Sequence, residues 1–329
     1  FTQKCQYRDF GNSRKIMELA QQIIKGDRTA LGKGITLLES TLPEHEKKSQ
    51  ELLKLCLPDS GKSIRVGITG VPGVGKSTFI ESFGKLLTSY GKKVAVLAID
   101  PTSEQTKGSI LGDKSRMHEL AANKNAFIRP SPTSGTLGGV AKKTKDSIVL
   151  CEAAGYDIIL IETVGVGQSE TTVNNLVDFF LLLMLAGAGD ELQGIKRGIM
   201  ELADGLVINK ADGNNITDAK NAALFYKRAL HLFPCMENGW TPKISVCSAI
   251  ENTGINNIWN MITNYDSQMN ASGWKKKNRE RQDIYWLHHS IKEELGNKKY
   301  KFLLTEGKIK ILEKEIIKGK TIYQLLTGL

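Results

Sequence analysis

The sequence has no apolar run long enough to cross a bilayer. Its longest, Phe179 to Ala186 with Val177 just before it, falls well short of the roughly 20 residues of a spanning helix and reads as a buried central strand. Cysteine is scarce as well. The five present, Cys5, Cys56, Cys151, Cys235 and Cys247, are odd in number and widely spaced, with no C-x-x-C pair, which argues for reduced thiols in a cytosol-like compartment. No nucleic-acid reader module occurs either, although 45 basic against 35 acidic residues leave a net charge of +10. Much of that excess lies from Trp274 onward, where lysines interleave with glutamates at helical spacing, as on a solvated helix face. Neither a nucleic acid nor a membrane is therefore an expected partner. A chain of 329 residues, 40% hydrophobic and 24% charged, can bury a full core without disulfides, and its length suggests about two domains.

What is present, and organises the rest, is Gly70-Val71-Pro72-Gly73-Val74-Gly75-Lys76-Ser77-Thr78, a G-x-x-x-x-G-K-[ST] phosphate-binding pattern. The apolar run Ile64–Thr69 precedes it, and Phe79 to Leu87 follow with apolar positions at helical spacing. Strand, glycine loop and helix in that order turn a pattern match into a site. Glycines let backbone N–H groups close around phosphate oxygens where a helix N-terminus already favours negative charge. Lys76 then reaches the β- and γ-phosphates, and the Ser77 hydroxyl ligates Mg²⁺.

Ahead of this loop the periodicity predicts three helices, Ser13 to Ile24 opened by a Ser cap, Asp27 to Ser40, and Pro43 to Leu57, closed by the turn Pro58-Asp59-Ser60-Gly61. From Ile64 onward strands and helices alternate, the signature of a doubly wound, mostly parallel α/β sheet. Expected strands are Ile64–Thr69, Val94–Ile99, Ala126–Arg129, Asp157–Ile161, Val177–Leu185, Gly205–Asn209 and Lys243–Cys247. Expected helices lie near Lys76–Tyr90, Gly139–Ala154, Asn215–His231 and Ile255–Met269. The corresponding division is an N-terminal helical extension (1–62), a nucleotide-binding domain (63–270) and a C-terminal helical tail (271–329).

In such sheets ligands sit beyond the carboxyl ends of the strands, so the residues just after each strand carry the chemistry. Asp100 follows Ile99 and is the first candidate for holding Mg²⁺ directly or through water; Asp113, in the loop that follows, is the second. A turn cap is the plain alternative for Asp100. Glu162 closes the run ending at Ile161, and Gly165 follows three residues later. This arrangement senses a γ-phosphate, the carboxylate positioning Mg²⁺ or its water and the glycine N–H meeting the terminal phosphate. Ras-type GTPases place the water-orienting Gln directly after that glycine, but here the residue is Val166 and the nearest amide is Gln168. Slow intrinsic hydrolysis is expected, completed by a partner or a second subunit, since Ras-type enzymes left alone turn over at about 10⁻⁴ to 10⁻³ per second and gain about 10³ to 10⁵ from a supplied group.

After Leu206-Val207-Ile208 stands Asn209-Lys210-Ala211-Asp212, an N-K-x-D sequence. Its Asp accepts from the ring N–H and exocyclic amine of guanine, and a buried carboxylate left unpaired by adenine rejects that base by about 10⁴ or more. Ser248 and Ala249, just after the last strand, match a short loop that supports the base from its other side. The Gly-rich, charged stretch from Ala186 to Gly198 is either a plain surface loop or a mobile segment offering Lys196 or Arg197 to a phosphate or partner.

Together, Gly70 to Thr78, DPTSEQTKGSILGDKSRM from Asp100, RPSPTSGTLGGVA from Arg129, ETVGVGQSE from Glu162, GDELQGIKRG from Gly189 and the N-K-x-D stretch resemble the ArgK/MeaB-type GTPases. These are the GTPase chaperones of methylmalonyl-CoA mutase and related adenosylcobalamin-dependent acyl-CoA mutases, among them the methylmalonic aciduria type A protein. The resemblance covers nearly the whole chain. It implies a P-loop fold, a homodimer formed through the C-terminal helical arm, and a GTP-gated role in delivering intact adenosylcobalamin to the mutase. Residue by residue it implies Lys76 and Ser77 as phosphate and Mg²⁺ contacts, Asp100, Asp113 and Glu162 around the Mg²⁺, and Asn209, Lys210 and Asp212 as guanine readers. It also implies that the loops around Val164–Glu170 and Gly187–Arg197 are switches that touch the mutase. One departure is Lys107, where such proteins usually carry Gly.

Three alternatives stand beside this. A nickel-insertion GTPase would bring Cys or His clusters, yet among His45, His118, His231, His288 and His289 the one adjacent pair lies in the helical tail with no Cys near it. A P-loop ATPase or kinase conflicts with the N-K-x-D stretch, and a binding module with vestigial hydrolysis is compatible with Val166. Abundant Lys, Asn and Ile fit an AT-rich bacterial gene, so the cytoplasm is expected, with the mitochondrial matrix as the alternative. Phe1 as first residue decides nothing about a preceding targeting segment.

Overall fold

The computed structural model describes residues 2–99, 117–130, 137–163, 169–187, 197–231 and 233–327. These fall into two compact units, residues 1–268 and 269–329. The first is built on a seven-stranded sheet: β1 (Ile64–Gly70), β2 (Val94–Ile99), β3 (Ala126–Arg129), β4 (Ile158–Thr163), β5 (Phe179–Leu185), β6 (Gly205–Asn209) and β7 (Lys243–Val246). They run in the order β3-β2-β4-β1-β5-β6-β7, and every pairing is parallel. Parallel strands are covered by helices on both faces, so their sequences read as unbroken apolar runs rather than alternating ones, as in β5 (FFLLLML) and β6 (GLVIN). This is the doubly wound P-loop architecture expected from the alternation.

The first unit's helices are α1 (Thr2–Ile24), α2 (Arg28–Glu39), α3 (Pro43–Cys56), α4 (Lys76–Ser89), α5 (His118–Ala122), α6 (Leu137–Ala153), α7 (Ser169–Asn174), α8 (Arg197–Leu202) and α9 (Ile216–Leu230). A tenth, α10 (Ile255–Ala271), ends past the boundary between the units. Several elements differ from the sequence reading: β5 begins at Phe179 rather than Val177, the short helices α5, α7 and α8 are additional to the expected set, and α1 and β4 each run past an expected end. Helix α1 begins at Thr2, so Ser13 is not its cap; inside a helix the Ser13 hydroxyl reaches sideways to Glu51 Oε2 at 3.5 Å. Strand β4 runs on through Glu162 and Thr163, because the ladder depends on backbone groups and continues past the last apolar side chain: Glu162 pairs with Ile68 and Ala98, and Thr163 with Ile99. Asp27, by contrast, caps α2 as expected, accepting from Ala30 N at 2.8 Å.

Helices α1 to α3 pack with the sheet in the same compact unit. At Gly34 of α2 a Cβ would lie 3.1 Å from Leu150 Cδ1 of α6, which measures how closely the two helices approach. At the last residue of α2, Glu39 pairs with Arg129 at the end of β3, and Lys143 Nζ donates to Glu39 O at 2.7 Å. At the amino ends of the strands, Asp178 Oδ2 accepts from Arg65 N and Asp204 Oδ2 from Phe180 N, each at 2.9 Å. Arg65 forks onto Glu152 through two 2.9 Å bonds, with the carboxylate fully buried. These groups satisfy the strand starts at the end of the sheet opposite the phosphate loop.

The second unit consists of α11 (Trp274–Thr305), broken at Gly296 (φ 77°, ψ 162°), α12 (Lys308–Ile317) and α13 (Ile322–Leu326). Leu287, Ile291, Leu303, Ile309, Ile316 and Leu325 form its core. His288 joins the two halves of α11 to α12, its ring nitrogens bonding Tyr300 OH and Glu313 Oε1 at 2.8 Å each. Among the described residues no helix is long and apolar enough to cross a membrane. Cys56, Cys151, Cys235 and Cys247 are free thiols.

Candidate nucleotide-binding site

Strand β1 sits between β4 and β5, and the chain winds outward from it in both directions, so its carboxyl end is the topological switch point of the sheet. The phosphate loop leaves from there. Gly70 (φ 154°) passes so close to β5 that a Cβ would stand 2.5 Å from the Leu183 carbonyl oxygen. Gly75 takes a left-handed conformation (φ 91°) at the helix N-terminus, and a Cβ there would meet Asn209 Nδ2 at 3.0 Å. Two of the pattern's glycines are thus dictated by backbone approach and by φ. Between them Val74 is fully buried and anchors the loop, while Gly73 and Thr78 face solvent.

Lys76 folds back over the loop, its Nζ donating to Gly70 O at 2.8 Å and Val71 O at 3.3 Å. The ammonium therefore stands in the cradle whose N–H groups and helix dipole favour an anion, where it would meet a phosphate as a point charge. Ser77, 9% exposed at the start of α4, donates to Glu162 Oε1 at 3.3 Å. A hydroxyl and a carboxylate side by side next to a phosphate cradle are hard oxygen donors of the kind Mg²⁺ takes together with phosphate and water. Ser77 and Glu162 fit that ion, which would neutralise charge on the phosphates. Asp100, Asp113, Gly165, Val166, Gln168 and Lys196 lie outside the described residues.

The N-K-x-D residues and the Ser248-Ala249 pair are assembled beyond β6 and β7. Asn209 ends β6, is 1% exposed, and donates from Nδ2 to Val74 O at 2.9 Å, which ties it to the phosphate loop. Its Oδ1 accepts from Ala249 N at 3.3 Å and Cys247 Sγ at 3.4 Å. Lys210 adopts φ 59°, a left-handed conformation that costs a non-glycine residue of order 1 kcal/mol and is kept where surrounding contacts impose it. Here Asn215 Nδ2 holds Lys210 O at 2.6 Å, and Ala211 N donates to Cys247 O at 3.0 Å. The exposed Lys210 stem runs past the end of the phosphate loop, with Cε 3.9 Å from a Cβ position at Gly75. Asp212 Oδ2 accepts from the fully buried Ser248 hydroxyl at 2.6 Å, which fixes the carboxylate that closes the N-K-x-D stretch. Gly73, Val74, Gly75, Lys76, Ser77, Thr78, Asn209, Lys210, Asp212, Ser248 and Ala249 thus share one end of one sheet.

Three contributors have no motif to announce them. Cys247 backs Asn209, and burial pushes its thiol up to about 12, so it stays a neutral S–H donor. Thr163 donates to Thr69 at 2.9 Å between two fully buried hydroxyls, joining β4 to β1 just beyond Glu162. Ser82 on α4 donates to Ala249 O. In the sequence, adjacency to Ser248 signals Cys247 and adjacency to Glu162 signals Thr163; Ser82 has no signal.

Known proteins resemble this chain over most of its length. The family model for the methylmalonyl Co-A mutase-associated GTPase MeaB matches residues 31–302. The GTPase ArgK of Escherichia coli is 47% identical over 286 residues, covering 87% of this chain and 86% of its own. The mitochondrial methylmalonic aciduria type A homolog of Mus musculus is 45% identical over 316 residues, 93% of this chain and 76% of its own. A crystal structure titled as a LAO/AO transport system kinase superposes with a TM-score of 0.76 at 40% identity, covering 87% of this chain and 86% of that one. An N-K-x-D stretch beside a phosphate loop, on a chain matched over most of its length, leads to one conclusion: the protein belongs to the MeaB family of methylmalonyl Co-A mutase-associated GTPases.

Proposed function

We propose that this GTPase binds GTP with Mg²⁺ and hydrolyses it slowly alone. Its nucleotide state gates adenosylcobalamin loading and protection of methylmalonyl-CoA mutase or a related acyl-CoA mutase, and that mutase stimulates the hydrolysis. The observation that carries the nucleotide half is Asn209, which hydrogen-bonds the phosphate loop through Val74 O and the base-reading loop through Ala249 N. One side chain thereby makes the occupancy of the base and phosphate subsites interdependent. The mutase half is supported by the description of the family and by the relatives named for methylmalonic aciduria.

In the catalytic assignment Lys76 neutralises phosphate charge, and Ser77, Glu162, Asp100 and Asp113 surround the Mg²⁺. Gly165 N–H meets the terminal phosphate, and Gln168 and Lys196 are the chain's own candidates for groups near the attacking water or the phosphate. Val166 in place of the water-orienting Gln is what makes a supplied group necessary. The working division is 1–62, 63–270 and 271–329, in a cytoplasmic homodimer joined through the C-terminal helices. Phe302, Leu304 and Ile311 there are more than half exposed, at 52%, 51% and 62%, as apolar residues of an interface between copies would be in one chain alone.

Loading is measured directly by following transfer of adenosylcobalamin to apo-mutase with this protein held in GTP, in GDP or in a non-hydrolysable GTP analogue. Transfer that depends on which nucleotide is bound is expected. Identical transfer in all three states would remove the gating role and leave a GTPase without this client.

A further inference from the structure

Helix serines and threonines usually donate to a carbonyl one turn back on their own helix. In α6, Thr144 donates to Val140 O at 2.9 Å and Ser147 to Lys143 O at 2.8 Å in this way. Ser82 does something else. In the second turn of α4, 8% exposed, it sends its hydroxyl across 167 positions of sequence to Ala249 O at 2.5 Å.

Ala249 is 4% exposed and is now held from two sides, its carbonyl by Ser82 and its N–H against Asn209 Oδ1 at 3.3 Å. The second contact is long, so this N–H is the donor available to a base oxygen arriving beside Asn209. Guanine presents a carbonyl oxygen at its six position, where adenine presents an amine. Asp212 reads a different edge, the ring N–H and the two-amine. The loop therefore splits base recognition between two groups with separate supports: Ser248 for Asp212, and Ser82 for Ala249.

We propose that Ser82 is a positioning residue for base selection, bracing Ala249 from the phosphate-loop helix so that its N–H is set for the six-position oxygen of guanine. This rests on the guanine reading of the site. The brace also closes a ring, from Val74 through Asn209 and Ala249 to Ser82 and back along α4 to Lys76 and Ser77. A base seated against Ala249 is thereby registered on the helix that holds the phosphates.

The test compares equilibrium affinities of the full chain and its Ser82→Ala and Ser82→Thr variants for GDP, IDP and the 2,6-diaminopurine nucleoside diphosphate. IDP keeps the six-oxygen and the ring N–H and lacks the two-amine; the diaminopurine keeps the two-amine, exchanges the six-oxygen for an amine and with it loses the ring N–H. Ser82→Ala is expected to weaken GDP and IDP together by about three- to tenfold, the worth of one hydrogen bond. It leaves the diaminopurine nucleotide unchanged, so the six-position preference falls by that factor while the GDP/IDP ratio holds. Ser82→Thr, which keeps the hydroxyl, restores the preference. Equal losses for all three nucleotides would mean a merely structural role and overturn the proposal, as would no loss at all. If Ser82→Ala does not fold, Ser82→Cys supplies a weaker donor of similar size for the same ratios. A wild-type chain that binds the diaminopurine nucleotide as well as GDP would instead sink the guanine reading itself.

Discussion

Replacing Asp212 by Asn changes one acceptor oxygen into a donor amine at nearly constant volume. Asp212 Oδ2 is held by the Ser248 hydroxyl at 2.6 Å, and that support survives, because Ser248 can donate to an amide oxygen or accept from an amide nitrogen. The loss falls on the base. Guanine offers a ring N–H and an amine to a carboxylate; against an amide one of these donors faces another donor. Two hydrogen bonds to a charged group, at about 1.5–3 kcal/mol each, set the cost at about 3–6 kcal/mol, or about 10²- to 10⁴-fold in GDP affinity. Xanthine carries an oxygen where guanine carries its amine, and it is complementary to the amide of the Asp212→Asn variant only in this register, so XDP should gain as GDP loses. Competition against a fluorescent guanine nucleotide, run with GDP, XDP and ADP, reads all three. A variant that binds GDP as the parent does, or loses GDP without gaining XDP, would show that Asp212 does not read the two-position edge.

Glu162→Gln removes a negative charge 3.3 Å from the Ser77 hydroxyl, so the Mg²⁺-dependent part of GTP affinity should fall about tenfold or more while binding without Mg²⁺ is unchanged; titrating Mg²⁺ in the presence of GTP checks it, and an unaltered Mg²⁺ midpoint would exclude Glu162 from the metal site. Glu152→Ala strands the Arg65 guanidinium and Gly61 N, which the carboxylate accepts from at 2.9 and 2.8 Å, and should cost about 3–5 kcal/mol in chemical denaturation; a loss under about 1 kcal/mol would refute the buried pairing. Burial, with the Asp178 charge nearby, pushes the Asp204 carboxyl up from 3.8 to about 7 against the opposing Phe180 N–H. A raised folded-state value means that the stability is whole below about pH 4 and is lost as pH rises to about 7. Asp204→Asn should flatten that part of the profile and be the more stable chain at about pH 8, measured by urea midpoints across pH; parallel profiles would contradict it.

The parts legible in the sequence are those whose chemistry is local. Gly70 and Gly75 are required by a close backbone approach and a left-handed φ within the loop itself, and the Val94–Ile99 and Phe179–Leu185 strands are apolar throughout because both faces of a parallel sheet are covered. Asn209 to Asp212 are placed at a strand end for the same reason. What stays hidden depends on partners distant in sequence. Nothing near Ser82 indicates that it meets Ala249, and nothing near Thr69 that it meets Thr163, because the first contact arises only when α4 meets the loop after β7 and the second only when β1 pairs with β4. The extension of β4 through Glu162 escapes hydropathy, which ends a strand at its last apolar residue, whereas the backbone ladder does not. Ser13 resembles a cap because the residues before it carry little apolar periodicity, yet α1 continues through them.

The most direct test is steady-state GTP hydrolysis by the purified protein, alone and with a stoichiometric adenosylcobalamin-dependent acyl-CoA mutase from the same organism. With Val166 where Ras-type enzymes carry their Gln, the expected result is a slow rate alone that rises when the mutase is added. Fast hydrolysis by the isolated chain, or a slow rate that no such mutase changes, would contradict it.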